Sequence, residues 1–381
     1  MGRNRLVSIC VAAMLLIGSA KAQSDAVQAF DAQVPFAPVV ADSAGVSQLT
    51  YELHLTNFAR EAIEIKRVAV VNSESGDEIG AATGDILAGW MGRPGGTVVP
   101  GEVRTIQPGM RGIVYFNLPL SGPKPSQIAH RIEFRLVGEA DGQSRTSTVA
   151  IATVDRRRPI ALGPPLRGGP WAAVYAPEME RGHRRVVYAT DGVARIPGRF
   201  AIDWIKLDTE GHSAPEGAKR LDAFHGYGAE VLAVADATVA AVRNDVENVA
   251  LLADLPRVSI GDASGNYVSL DLGNGRYAFY EHLQRGVIVR PGQRVRRGQV
   301  IGRAGLTGQG SSPHLHFHVA NANSLLGAEG LPFVLGGAEI LGSYTSIEAF
   351  GRGGPWSPVA GPMPRGPFAP GPNMVVHFLD R

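Results

Sequence analysis

Three histidines alternate in a short apolar stretch near the C-terminal end, Ser312-Pro313-His314-Leu315-His316-Phe317-His318. In a β-strand alternate side chains share a face, so the three imidazoles would line one side while Leu315 and Phe317 pack into the other. Neighbouring imidazoles on one face can share a metal ion, or one can bind metal while the next handles protons. No thiol competes for the role. The single cysteine, Cys10, lies in the apolar run Leu6–Ala20, and everything downstream must build its chemistry from His, Asp, Glu and hydroxyl groups.

The elements that must position these residues read as strands. With 48 glycines and 26 prolines in 381 residues, the composition favours short strands and turns over long helices. Hydrophobic residues make up 44% and charged residues 19%, the balance of a folded protein with room for two cores. A net charge of +2 supplies no field that would steer the chain to nucleic acid.

Arg3 and Arg5, the run Leu6–Ala20 and the small-x-small site Ala20-Lys21-Ala22 predict a secretory signal peptide over residues 1–22. The remainder would then be secreted or periplasmic, with no membrane span after cleavage. Residues 23–155 are expected to form an immunoglobulin-like β-sandwich: Leu49, Tyr51, Leu53 and Leu55 alternate with polar residues, as do Ile132, Phe134 and Leu136. Pro100-Gly101 and Pro108-Gly109 mark turns. His54 and His130 are expected at the surface or as satisfied polar groups. The Arg- and Pro-rich stretch 156–170 reads as a linker. A second strand-rich domain spans 171–344, with strands at Ala201–Leu207, Val231–Val242, Tyr267–Leu272, Tyr277–Leu283, Val287–Val289, Val300–Ala304 and His314–Val319. Asn274-Gly275 sits between two of them as a type I′ hairpin signal. Residues 345–381 read as a Gly/Pro-rich tail.

The order of motifs in the second domain resembles the lysostaphin/LytM-type zinc metallopeptidases, which are peptidoglycan endopeptidases. Gly228–Val239 is similar to that family's G-x-x-V-x-A-x-x-x-G-x-V segment, with Ala237 in place of its second Gly. Tyr280-Glu281-His282-Leu283 matches Y-x-H-L, Val289–Gly302 matches V-x-x-G-x-x-V-x-x-G-x-x-I-G, and Pro313-His314-Leu315-His316 supplies H-x-H. The resemblance implies an all-β chain whose second domain is a LytM-type antiparallel β-sheet. It implies one zinc ion with His316 as ligand, and His282 and His314 as the pair that handles protons and stabilises the oxyanion. His318 has no counterpart role.

The family's H-x-x-x-D motif is where the chain departs. Asp203, in Phe200-Ala201-Ile202-Asp203-Trp204, is the preferred match for the metal-binding Asp. Arg199 then stands where the His belongs; a guanidinium cannot coordinate zinc and could instead pair with Asp203. A second register uses Asp222, with Ala218 at the His position. His183, which opens the expected strand His183-Arg184-Arg185-Val186-Val187-Tyr188, is the first candidate for the missing ligand, ahead of His225 and His212; a solvated His183 beside Arg184 and Arg185 is the alternative. The resemblance thus implies a zinc metalloendopeptidase acting on peptidoglycan peptide, with Asp203, His316 and His183 as ligands. The alternative is a degenerate domain that binds the wall or regulates another cell-wall hydrolase.

Overall fold

Strands make up most of the regular secondary structure among the described residues, and the fold is all-β. The computed structural model describes residues 29–95, 102–138, 143–179, 182–359 and 366–379. The expected signal segment 1–22 and the expected Pro100-Gly101 turn lie outside the described residues. No helix among the described residues is long and apolar enough to cross a membrane.

The N-terminal half is two five-stranded sheets around one core. Val46–Asn57 and Arg111–Pro119 are the long strands of one sheet; Ile63–Asn72 and Gln127–Leu136 are those of the other. Leu49, Leu53 and Phe116 meet Val68, Ile132 and Phe134 between the sheets, all fully or almost fully buried. The opposite face of Val46–Asn57 carries Thr50, Glu52 and His54, and these are buried too. The second domain covers that face, with arginines reaching Glu52. Of the two roles expected for His54 and His130, the surface one is excluded by burial, and His130 takes the other, that of a satisfied polar group. His130 is wholly inaccessible, its ring bonded to the Tyr51 hydroxyl at 2.9 Å and to the Ala150 carbonyl at 3.0 Å. Nδ1 of His54 has no hydrogen-bond partner among the described residues.

The second domain is built on a ten-stranded sheet. Its centre runs through Ala237–Arg243, Asn266–Asp271, Tyr277–Leu283, the histidine strand Leu315–Ala320, the aspartate strand Ile202–Lys206, Gly168–Val174 and Met374–Phe378. Trp171, Trp204, Tyr280, Phe317 and Phe378 fill the core on one side. The turn after Leu272 closes as expected: Asn274 and Gly275 both have positive φ, and Arg276 N–H donates to the Gly273 carbonyl.

Several boundaries differ from the sequence reading. Met374–Phe378, expected in the tail, pairs on both sides within the sheet because Met374, Val375, Val376 and Phe378 are apolar and buried. Within the expected linker, Ile160–Leu162 pairs in parallel with Phe333–Leu335. The run Val231–Val242 splits into Glu230–Leu232 and Ala237–Arg243, which join different sheets. The break falls at Asp236, whose side chain accepts from the Arg297 N–H. Val287–Val289 forms no strand, and His183–Arg185 is a 3-10 turn rather than the start of one.

Candidate metal centre

Cross-strand register aligns the chemistry. Asp203 on the aspartate strand lies opposite His316, and His316 lies opposite Glu281 on the strand Tyr277–Leu283. Leu315 and Phe317 point into the core with no exposure. The alternate residues His314, His316 and His318 line a groove of about 550 Å³ together with His183 and His282. The fold therefore gathers five of the ten histidines in one groove with the carboxylates of Asp203 and Glu281.

His183 Nε2 stands 2.9 Å from Asp203 Oδ2, and His316 Nδ1 stands 2.9 Å from Asp203 Oδ1. His314 Nε2 is 3.6 Å from the same Oδ1. One donor atom each from His183, Asp203 and His316 falls within 4.8 Å of the other two. Burial opposes ionisation of Asp203. The surrounding imidazoles of His183, His314 and His316 more than offset it and hold the carboxyl well below the ordinary range. An ionised carboxylate with two imidazoles is a donor set that suits zinc and leaves a further position open.

Arg199 does not compete for Asp203. Its guanidinium turns the other way, to Glu52 at 2.8 Å and Glu329 at 2.7 Å, and is buried there. The pairing with Asp203 that the sequence left open to Arg199 does not form. Of the other proposed substitutes, His212 and His225 stand near Asp208, at 3.7 and 3.8 Å. Asp222 is paired with Arg220 on the surface.

His282 reaches the groove through an irregularity. Asn266 pairs with Leu283 and Val268 with Tyr280, so Glu281 and His282 together oppose the single residue Tyr267. This bulge puts two consecutive side chains on the groove side. His282 adopts φ +62, a left-handed conformation uncommon outside glycine and typical of residues constrained at a site. Its Nδ1–H donates to the Thr307 carbonyl at 2.9 Å, which leaves Nε2 as an acceptor. Burial, then the nearby His314 and His316, push its pKa well below the ordinary histidine value. His314 is fixed the same way, Nδ1–H to the Ser312 carbonyl at 2.7 Å. The two rings are 4.7 Å apart.

Two further groups join the site that the sequence reading gave no role. His318 Nδ1 is 3.2 Å from His316 Nε2, and Glu281 Oε1 is 3.4 Å from His318 Nδ1 and 3.9 Å from His316 Nε2. Plain strand alternation would put Glu281 and His282 on opposite faces, and only the bulge unites them. His318 could have been included from its place on the shared face.

Residues 216–326 match the model of peptidase family M23. The second domain is an M23 domain. The match includes His282, His314 and His316, and begins downstream of His183 and Asp203. The chain is 45% identical over 56 residues to the peptidoglycan DD-endopeptidase ShyA of Vibrio cholerae, and 44% identical over 59 residues to ShyC of the same organism. These stretches cover 15% and 16% of this chain, and the chain spans 13% of the length of each relative. Among solved structures, the catalytic domain of lysostaphin from Staphylococcus simulans aligns with 43% of this chain and 88% of its own at 19% identity, with a TM-score of 0.23.

Proposed function

We propose that the chain is a zinc metalloendopeptidase that hydrolyses peptide bonds in bacterial peptidoglycan, outside the cytoplasm. The observation that carries this reading is the meeting of His183, Asp203 and His316 in a groove beside two fixed imidazoles. The M23 match and the short, strong identity to peptidoglycan DD-endopeptidases support the substrate class. The basic and apolar leader over residues 1–22 supports export.

His183 through Nε2, His316 through Nδ1 and the Asp203 carboxylate would hold the metal. When bound, zinc supplies Lewis acidity and lowers the pKa of water at its open position toward about 7. His282, held neutral with a free Nε2, takes the proton from the attacking water. His314, fixed through Nδ1, presents Nε2 to the groove 3.6 Å from Asp203, and its doubly protonated form carries an N–H there. In that form it donates to the oxygen that gains charge and then to the leaving amine.

Metal analysis of the purified protein tests the reading, with His316→Ala and His183→Ala alongside. The expected result is one zinc per chain, absent in both variants, and chelator-sensitive release of peptides from purified peptidoglycan. A zinc-free parent protein would sink it.

A further inference from the structure

The turn that carries His183 is held by the other domain. Arg184, next in sequence, enters the sandwich: its Nη2 donates to the Phe116 carbonyl at 2.5 Å and the Tyr51 carbonyl at 3.2 Å, and its Nε lies 3.4 Å from Glu52. Arg185 also reaches the sandwich, donating to the Gly89 carbonyl at 2.5 Å and stacking over Tyr115 at 5.0 Å. A 3-10 turn of three residues thus has two side chains anchored in the sandwich and the third at the metal centre.

The second wall of the ligand is anchored to the same carboxylate. His183 packs on Gly198 so closely that a Cβ there would stand 2.9 Å from the His183 Cβ. The neighbouring Arg199 donates to Glu52 through both Nε and Nη2, at 3.0 and 2.8 Å. Glu52 is 3% exposed, and its flanking guanidinia outweigh burial to keep it ionised. One sandwich carboxylate therefore fixes both segments that bracket His183, through Arg184 on one and Arg199 on the other.

We propose that the sandwich is part of the metal site, with Glu52 as a positioning residue that holds the ligand His183 through Arg184 and Arg199. The consequence follows from how the ligand arrives. A ligand His at position 199 would be supplied by the second domain itself; here that position is occupied by the Arg that docks to Glu52, and the replacement ligand comes on a turn clamped across the interface. Neutralising Glu52 removes the charge the two arginines share, leaving Arg184 only its backbone carbonyls and Arg199 only Glu329 and the Gly330 carbonyl; the turn loosens, while the strands bearing Asp203 and His316 stay paired.

The proposal rests on zinc binding at His183, Asp203 and His316, and the test separates the two. Zinc affinity of the full chain is measured by chelator competition for the parent, Glu52→Gln, Arg184→Met and Ile65→Val, with folding checked by circular dichroism. Glu52→Gln and Arg184→Met should weaken zinc at least about ten-fold, the scale of losing an outer support of a metal ligand. Ile65→Val, on the far sheet of the sandwich, should lower the unfolding midpoint and leave affinity unchanged. If Glu52→Gln does not fold, Arg184→Met carries the test, since it leaves the Glu52–Arg199 pair in place. Unchanged affinity in the folded variants overturns the proposal, as does an equal loss in Ile65→Val. If the parent holds no zinc, the functional reading fails. The clamp is then read from the imidazole NMR signals of His183, which should shift in Glu52→Gln but not in Ile65→Val; no shift overturns it.

Discussion

At the scale of single residues, the site divides its histidines by what their second nitrogen is doing. His282 and His314 each give one N–H to a backbone carbonyl, so they cannot rotate and each offers the other nitrogen to the groove. Replacing His282 by Asn keeps a residue that tolerates its left-handed backbone and an amide able to reach the Thr307 carbonyl. In His282→Asn, kcat on purified peptidoglycan fragments should fall about 10²–10⁴-fold, the usual value of a positioned acid–base group, while zinc content stays at the parent level. Glu281 acts differently. Burial opposes a charge on His316, but Glu281 and Asp203 outweigh it and raise its pKa above the ordinary value, which makes the ring a more basic donor. Glu281→Gln removes one of those carboxylates without changing shape. Zinc affinity by chelator competition should drop roughly 10–100-fold, with secondary structure unchanged.

At the scale of elements, strands supply the registered site residues and irregular segments supply the rest. Asp203 and His316 are cross-strand neighbours, and their strands were legible because apolar alternation is local. The hairpin at Asn274-Gly275 was legible for the same reason. The bulge at Glu281-His282 was not, because an extra residue in one strand shows only against its partner strand. The role of Arg199 was also hidden: the position shows a missing ligand, but its partner Glu52 lies 147 residues away in another domain. Gly198 tests how tightly the His183 turn must sit. In Gly198→Ala the new methyl meets the Cβ of His183 at 2.9 Å and its carbonyl oxygen at 3.1 Å, neither of which is a flexible side-chain end. The turn must shift, at a cost of about 1–3 kcal/mol for overpacking. Urea unfolding should show that loss, and zinc affinity should fall with it.

At the scale of the whole molecule, the sandwich brings its own pH sensitivity to a protein whose ligand turn depends on it. Burial drives the pKa of His130 from 6.5 down to about 4, and the Ala150 carbonyl offsets this only in part. His54 is lowered to about 4 by burial first and then by Arg111. Both rings are therefore neutral in the folded chain at pH 5, whereas the unfolded chain has them largely protonated. The unfolded state then binds more protons, so stability falls as pH drops through the window from about 6.5 to about 4 and levels off below it. A difference of 2.5 pKa units corresponds to roughly 3 kcal/mol for each ring. His130→Phe keeps the ring volume and removes one titrating site, though it leaves the Tyr51 hydroxyl without its partner and so lowers stability at pH 7. The slope rather than the midpoint is the readout. In chelator, urea unfolding of the parent and His130→Phe should converge as pH falls from 7 to 4.5, the variant losing some 2–3 kcal/mol less than the parent. Parallel curves would place the His130 proton uptake outside the folding equilibrium.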